Sequence, residues 1–175
     1  MNTLEQRMPA ETSRPWYVLA VKHQHEKAVA EQLRVKDVEE YLPLYRAQRR
    51  WSDRTAVVEL PVFPRYLFCR FTFAERMKVL QVLSVNSIVS FGGRPCPVDQ
   101  REIETIRAIC SSGRPVQPCP YVSIGQRVRI REGPLEGLEG ILAREKSAYR
   151  VVVNMEVLNR AVAVEVEREL LSHVA

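Results

Sequence analysis

Six consecutive apolar residues, WYVLAV at Trp16–Val21, predict a buried strand. From His25 to Lys36, Val29 and Leu33 recur one turn apart among charged neighbours, the pattern of an amphipathic helix. Tyr41–Tyr45 and Val57–Phe63 read as extended, with prolines at 43, 61 and 64 marking edges or bends. Tyr66–Phe71 predicts a strand. Glu75–Val85 predicts a helix with Met77, Leu80 and Leu83 on one side, and Ser87–Phe91 a strand stopped by Gly92-Gly93. Asp99 is a candidate N-cap with Glu102 three residues on, ahead of Ile103, Ile106 and Cys110 at helical spacing. The order β-α-β-β-α-β-α predicts an α+β sandwich with helices against one sheet.

The segment SSGRPVQPCPY, residues 111–121, carries three prolines and reads as a semi-rigid linker. Beyond it the period changes to two. Val128 and Ile130 alternate with Arg127, Arg129 and Arg131, and Gly133, Gly137 and Gly140 impose sharp turns. Short strands follow at Gly140–Glu145, Tyr149–Asn154 and Ala161–Glu167, which suggests a small barrel. The expected organisation is a disordered tail over residues 1–13, a first domain over 14–110, a linker over 111–121 and a second domain over 122–175.

Charge sharpens this division. Of the 175 residues, the first 120 hold 18 Lys/Arg against 13 Asp/Glu, and the remainder 8 against 8. Eleven of the 13 aromatic residues also fall in the first 120, so the first domain is the one suited to an anionic or aromatic-seeking partner. No apolar run approaches the roughly 20 residues that cross a bilayer. The opening MNTLEQRMPAETSRP does not read as a secretory signal, and a cytoplasmic protein is expected. Cysteines at 69, 96, 110 and 119 form no C-x-x-C pair, and His23, His25 and His173 complete no zinc spacing, so neither metal nor cofactor is expected. Walker, G-x-S-x-G and H-E-x-x-H motifs are absent from the sequence, and no enzyme is expected.

Two clusters carry candidate binding chemistry. In Tyr66–Phe71, Tyr66 and Phe68 share one face while Leu67, Cys69 and Phe71 share the other. If helices cover one face alone, Phe63, Tyr66 and Phe68 form an exposed docking patch; the alternative is that both faces are core. In YRAQRRWSDRT, four arginines surround Trp51, which suits a nucleic-acid backbone with one stacked base; the alternative is a solvated hairpin face.

The strings WYVLAVKHQHEKAVAEQL, ELPVFPRYLFCRF, SIVSFGGRPCPVDQREIETI and VSIGQRVRIREGPLEGLEGILARE, in that order, resemble the NusG family of transcription elongation factors from Arg14 to the end. The resemblance implies an α+β NusG N-terminal domain followed by a five-stranded SH3-like β-barrel, the KOW domain. It implies docking on the clamp helices of the RNA polymerase β′ subunit through the F-P-x-Y residues Phe63 and Tyr66, with Phe68 and, bordering them, Trp16. Suppressed pausing or termination would follow. Glycine is common in the family where this chain has Arg65, so no obligatory positive φ is expected there.

The stretch DRTAVVELPVFPRYLF is similar to specialised paralogues of the RfaH and UpxY kind, some of which read the non-template DNA strand. By that analogy Lys22, His23, Arg49, Arg50 and Arg54 are candidate DNA contacts. Leu138 matches the loop position through which KOW domains recruit Rho or a small-subunit ribosomal protein. The glycines and the Val162, Val164, Val166 alternation favour a barrel that stays β. The expected protein is a monomeric antitermination factor of a specialised operon. The alternatives are a housekeeping factor acting on most genes, and a ribosome-associated or RNA-binding KOW protein in which the aromatic patch is core.

Overall fold

The computed structural model describes residues 14–145 and 148–174, so the tail expected over residues 1–13 lies outside the described residues. The chain folds as two compact units. One holds the described residues up to Pro43 together with Phe63–Ile103; the other holds Leu44–Val62 with the chain from Glu104 onward.

In the first unit, strand β1 (Trp16–Val21) coincides with the apolar run, and helix α1 (Glu26–Val35) follows it. Strand β2 (Glu39–Tyr41), strand β5 (Tyr66–Arg70) and strand β6 (Val85–Ile88) join β1 in a sheet of order β2-β5-β1-β6. β1 and β5 run antiparallel, from Trp16 opposite Arg70 to Ala20 opposite Tyr66. Tyr17, Leu19, Val21, Leu67 and Cys69 pack with Val29 and Leu33 of α1 and with Val79 and Val82 in one core.

The second helix is shorter than expected. A 3₁₀ turn over Phe73–Glu75 leads into α2 (Arg76–Leu80), and the chain then turns through Ser84 at φ +73°. Its buried side is Val79 and Val82, whereas Leu83 is 76% exposed. The Glu75 carboxylate accepts from the Thr72 N–H at 2.9 Å and the Thr72 hydroxyl at 3.0 Å, fixing the entry to this turn. Beyond β6, strands β7 (Ser90–Phe91) and β8 (Arg94–Pro95) form a two-residue ribbon. Helix α3 (Gln100–Ser111) starts as predicted at Asp99, whose Oδ1 accepts the Arg101 N–H at 2.9 Å.

In the second unit, strands β3 (Leu44–Arg50) and β4 (Thr55–Pro61) make an antiparallel hairpin. Strands β10 (Arg127–Ile130), β11 (Glu139–Glu145), β12 (Ala148–Met155), β13 (Arg160–Val166) and β14 (Leu171–His173) form the β-rich module. A sixth strand joins them from the segment expected to be a linker: β9 (Val116–Pro120) pairs with β13, giving the order β14-β10-β11-β12-β13-β9. The Glu165 N–H donates to the Pro115 carbonyl at 3.0 Å, so by strand parity Gln117 and Cys119 also face β13 while Pro118 and Pro120 face outward. Prolines at outward positions of an edge strand forfeit no ladder bond, which is why a proline-rich segment is a strand here.

Candidate functional site

The F-P-R-Y residues build a tight turn immediately before β5. The Tyr66 N–H donates to the Phe63 carbonyl at 3.1 Å, Pro64 fills the second position, and Arg65 occupies the third with φ +72°. This is the pattern of a type II turn, in which glycine is the usual third residue because a side chain is strained at positive φ. The expectation that Arg65 frees this position from positive φ is therefore corrected: the left-handed conformation is kept, with arginine in it. Its N–H donates to Glu26 Oε1 at 2.8 Å, and its carbonyl accepts the Val21 N–H at 2.8 Å. Glu26, in the first turn of α1, is only 4% exposed. Sequence reading missed it, because a carboxylate in the first turn of a helix ordinarily stays solvated beside the helix dipole and gives no sign of a distant partner.

The aromatic face is not uncovered. Trp16, Phe63 and Phe68 are buried, and Tyr66 is half-buried. Phe63 meets Phe68 edge-on with ring centres 6.0 Å apart, and Tyr41 stacks on Phe68 at 6.2 Å. Trp16 Nε1–H donates to Gln100 Oε1 at 2.7 Å, and the Val98 N–H bonds the Trp16 carbonyl at 2.8 Å, so the start of α3 lies over that end of the sheet. Both faces are thus core, and the exposed patch expected from one-sided helix cover reduces to Tyr66 and its turn.

The basic candidates fall in both units. Lys22 and His23 are exposed in the turn between β1 and α1. That turn is held by Lys22 N–H on the Ser84 carbonyl (2.9 Å), His25 N–H on the Lys22 carbonyl (3.0 Å) and a 3.0 Å bond between Ser84 Oγ and His25 Nδ1. The three arginines sit at the end of the β3–β4 hairpin. Arg49 faces with Ala56 and Arg50 with Thr55, so these neighbours project from opposite faces of the ribbon. Arg54 lies 5.3 Å from the centre of the Trp51 ring, and the Trp51 N–H closes the hairpin on the Arg54 carbonyl at 2.8 Å. Trp51 is 46% exposed.

Leu138 is half-buried and tied into the ladder, its carbonyl accepting the Ile130 N–H at 2.9 Å. Leu135 is the loop residue that folds inward and is buried. Among the described residues from Val116 onward, the exposed large apolar residue is Ile124, at 88%. It precedes Gly125, where an added Cβ would lie 2.4 Å from Ile141 Cγ2. An isoleucine beside an obligatory glycine in a polar loop was the available signal.

Cys69, within β5, is buried, and burial, with the Glu40 charge adding, pushes its thiol well up, away from nucleophile chemistry. Among the described residues no three His, Cys, Asp or Glu side chains gather as metal ligands, and no helix is long and apolar enough to cross a membrane.

The fold and these elements agree with comparisons to known proteins. Residues 14–107 match the family described as transcription termination factor NusG, and the chain belongs to the NusG family. A transcription termination/antitermination protein NusG of Borreliella burgdorferi is 21% identical over 89% of this chain and 96% of its own length. The protein of the same description from Neisseria meningitidis serogroup B is 27% identical over 89% of this chain and 95% of its own. The solved structure titled "Domain interaction in Thermotoga maritima NusG" is similar in fold, with TM-score 0.59 and 22% identity over 95% of this chain and all of that one. The chain is thus a NusG-family transcription termination/antitermination factor, a family of transcription factors and not of enzymes.

Proposed function

We propose that this chain docks on the clamp helices of the RNA polymerase β′ subunit through Tyr66 and its turn, and suppresses pausing or termination on a specialised operon. Phe63, Phe68 and Trp16 form the packed support behind that contact. The observation that carries the reading is the type II turn itself: it leaves Tyr66 half-exposed at its exit and retains a left-handed residue although arginine is strained there. Lys22, His23, Arg49, Arg50 and Arg54 are the residues proposed to meet non-template DNA, with Trp51 as a stacking platform. The β-rich module recruits Rho or a small-subunit ribosomal protein through the Leu138 loop. The factor acts as a cytoplasmic monomer.

The test is binding of the full chain to a β′ clamp-helix fragment, with Tyr66→Ala as the paired variant. Removing one aromatic anchor costs roughly 2 kcal/mol or more, about thirtyfold in affinity. Transcript profiling of a deletion strain separates the specialised from the housekeeping role, the former changing a single operon. Burial of Trp16, Phe63 and Phe68 favours one second reading, an RNA-binding or ribosome-associated KOW protein. Wild-type chain that ignores the clamp fragment and binds ribosomal RNA would select it.

A further inference from the structure

We infer that Glu26 is the positioning residue of the docking turn: its carboxylate fixes the left-handed Arg65 and so sets the direction in which Tyr66 leaves the sheet. The inference rests on the clamp-docking reading and names what holds that site in shape. Glu26 opens α1, yet its carboxylate reaches across the fold to the Arg65 N–H, 39 positions away, at 2.8 Å. A carboxylate this buried is costly unless hydrogen-bonded, and a backbone N–H is a partner that no substitution other than proline removes.

The bond sits where strain collects. Gln24, Arg65 and Ser84, all non-glycine, have φ of +64°, +72° and +73°. They flank the end of β1, where Val21 and Lys22 donate in turn to the carbonyls of Arg65 and Ser84. Three left-handed residues with side chains are each unfavourable alone and persist where surrounding bonds over-determine them. At Arg65 the surrounding bonds are the 63–66 turn bond, the Val21 N–H and the Glu26 carboxylate. The Glu26 bond is the one made by a side chain and hence the one open to sequence change. Without it, relaxation of Arg65 toward negative φ re-aims the peptide leading into Tyr66.

The test uses the full chain, a β′ clamp-helix fragment and amide exchange at residue 65. In the wild type this amide is expected to exchange slowly. In Glu26→Ala it loses protection and clamp affinity falls about tenfold, the order set by losing a strained backbone state. Glu26→Gln keeps an acceptor oxygen and stays within about twofold. Adding Arg65→Gly to Glu26→Ala restores affinity, because glycine holds positive φ without an anchor; a merely structural role for Glu26 predicts no such rescue. Unchanged affinity in Glu26→Ala with an unprotected amide 65 overturns the inference. So does a folded double variant that does not bind, which decides the matter even where Glu26→Ala alone fails to fold. Wild-type chain that ignores the clamp fragment removes the docking reading instead, and a fast-exchanging wild-type amide 65 removes the Glu26 bond.

Discussion

Asn154 and Val122 are joined by a reciprocal pair of hydrogen bonds. The Val122 N–H donates to Asn154 Oδ1 at 3.1 Å, and Asn154 Nδ2 donates to the Val122 carbonyl at 2.7 Å. The side-chain amide acts as a short piece of strand, pinning the chain that leaves β9 to the far end of β12. Asn154→Ala leaves both groups of Val122 without this partner and is expected to cost about 1–3 kcal/mol. Asn154→Asp keeps the acceptor but sets a carboxylate oxygen against the Val122 carbonyl, so it too should destabilise; denaturant midpoints of the two variants check both.

Arg65 supplies a change in the opposite direction. Arg65→Gly removes the strain of positive φ and is expected to stabilise the chain by about 1 kcal/mol, less whatever entropy glycine adds to the unfolded chain. A rise in thermal midpoint is the readout. A fall would mean that the exposed arginine side chain contributes more than the turn costs.

Gly140 permits the close approach of β11 to β12. A Cβ there would lie 2.6 Å from both Val151 Cγ1 and the Val152 carbonyl oxygen, and the backbone oxygen cannot step aside without breaking the ladder. Gly140→Ala is expected to destabilise by about 1–3 kcal/mol, read by chemical denaturation. Gly137, with open space around its missing Cβ but φ +81°, should respond to a conformational penalty alone, about 1 kcal/mol.

The Glu75 carboxyl is held below its ordinary range, first by the Thr72 N–H and hydroxyl and then by the Arg14 and Lys78 charges. A carboxyl lowered in the folded state contributes stability that is complete above its unfolded value, about 4.3, and lost as pH falls through the folded one. Amide protection around Thr72–Arg76, taken relative to the unstructured exchange rate at each pH, should therefore fall below about pH 4, and Glu75→Gln should flatten that dependence. An unchanged pH profile in Glu75→Gln would detach the effect from this carboxylate.

Trp51 and Arg54 offer a test of the nucleic-acid proposal. Trp51→Ala should weaken single-stranded DNA binding by about 1–3 kcal/mol, as expected for a lost stacking platform. Arg54→Ala should weaken it more evenly across sequences and reduce the salt slope by about one. Salt titrations of the two variants distinguish stacking from backbone contact. Equal affinity in both would remove the hairpin from the interface.

The elements readable in the sequence were those in which local pattern and burial agree. β1 is apolar throughout because it is central and buried on both faces, and α1 shows Val29 and Leu33 because they are its large apolar residues in the core, among charged neighbours. The second helix misled because Met77, Leu80 and Leu83 share a helical face, yet packing chose Val79 and Val82 and left Met77 and Leu83 in solvent. Tertiary contact, not spacing, decides which of two apolar stripes faces inward. The strand at 116–120 was hidden because proline argues against a ladder unless one knows which edge faces out. At the site, the F-P-R-Y residues were legible as a motif. The cover over Phe68 and Trp16 beside them was not, since Phe68 stacks on Tyr41 and Trp16 bonds Gln100, both distant in sequence. Glu26 was illegible for the same reason: its partner is a backbone group 39 residues away.

The membership of β9 in the β-rich sheet determines where the chain can be cut. α3 ends at Ser111 and β9 begins at Val116, so the two regular elements are separated by four residues. A fragment beginning at residue 122 would lack the partner of β13 and bare the unmatched backbone of Arg160–Val164, inviting a foreign strand in place of the native one. Scissors placed within residues 112–115 keep that pairing whole, and the proline-blunted border then remains the outermost seam of the severed piece.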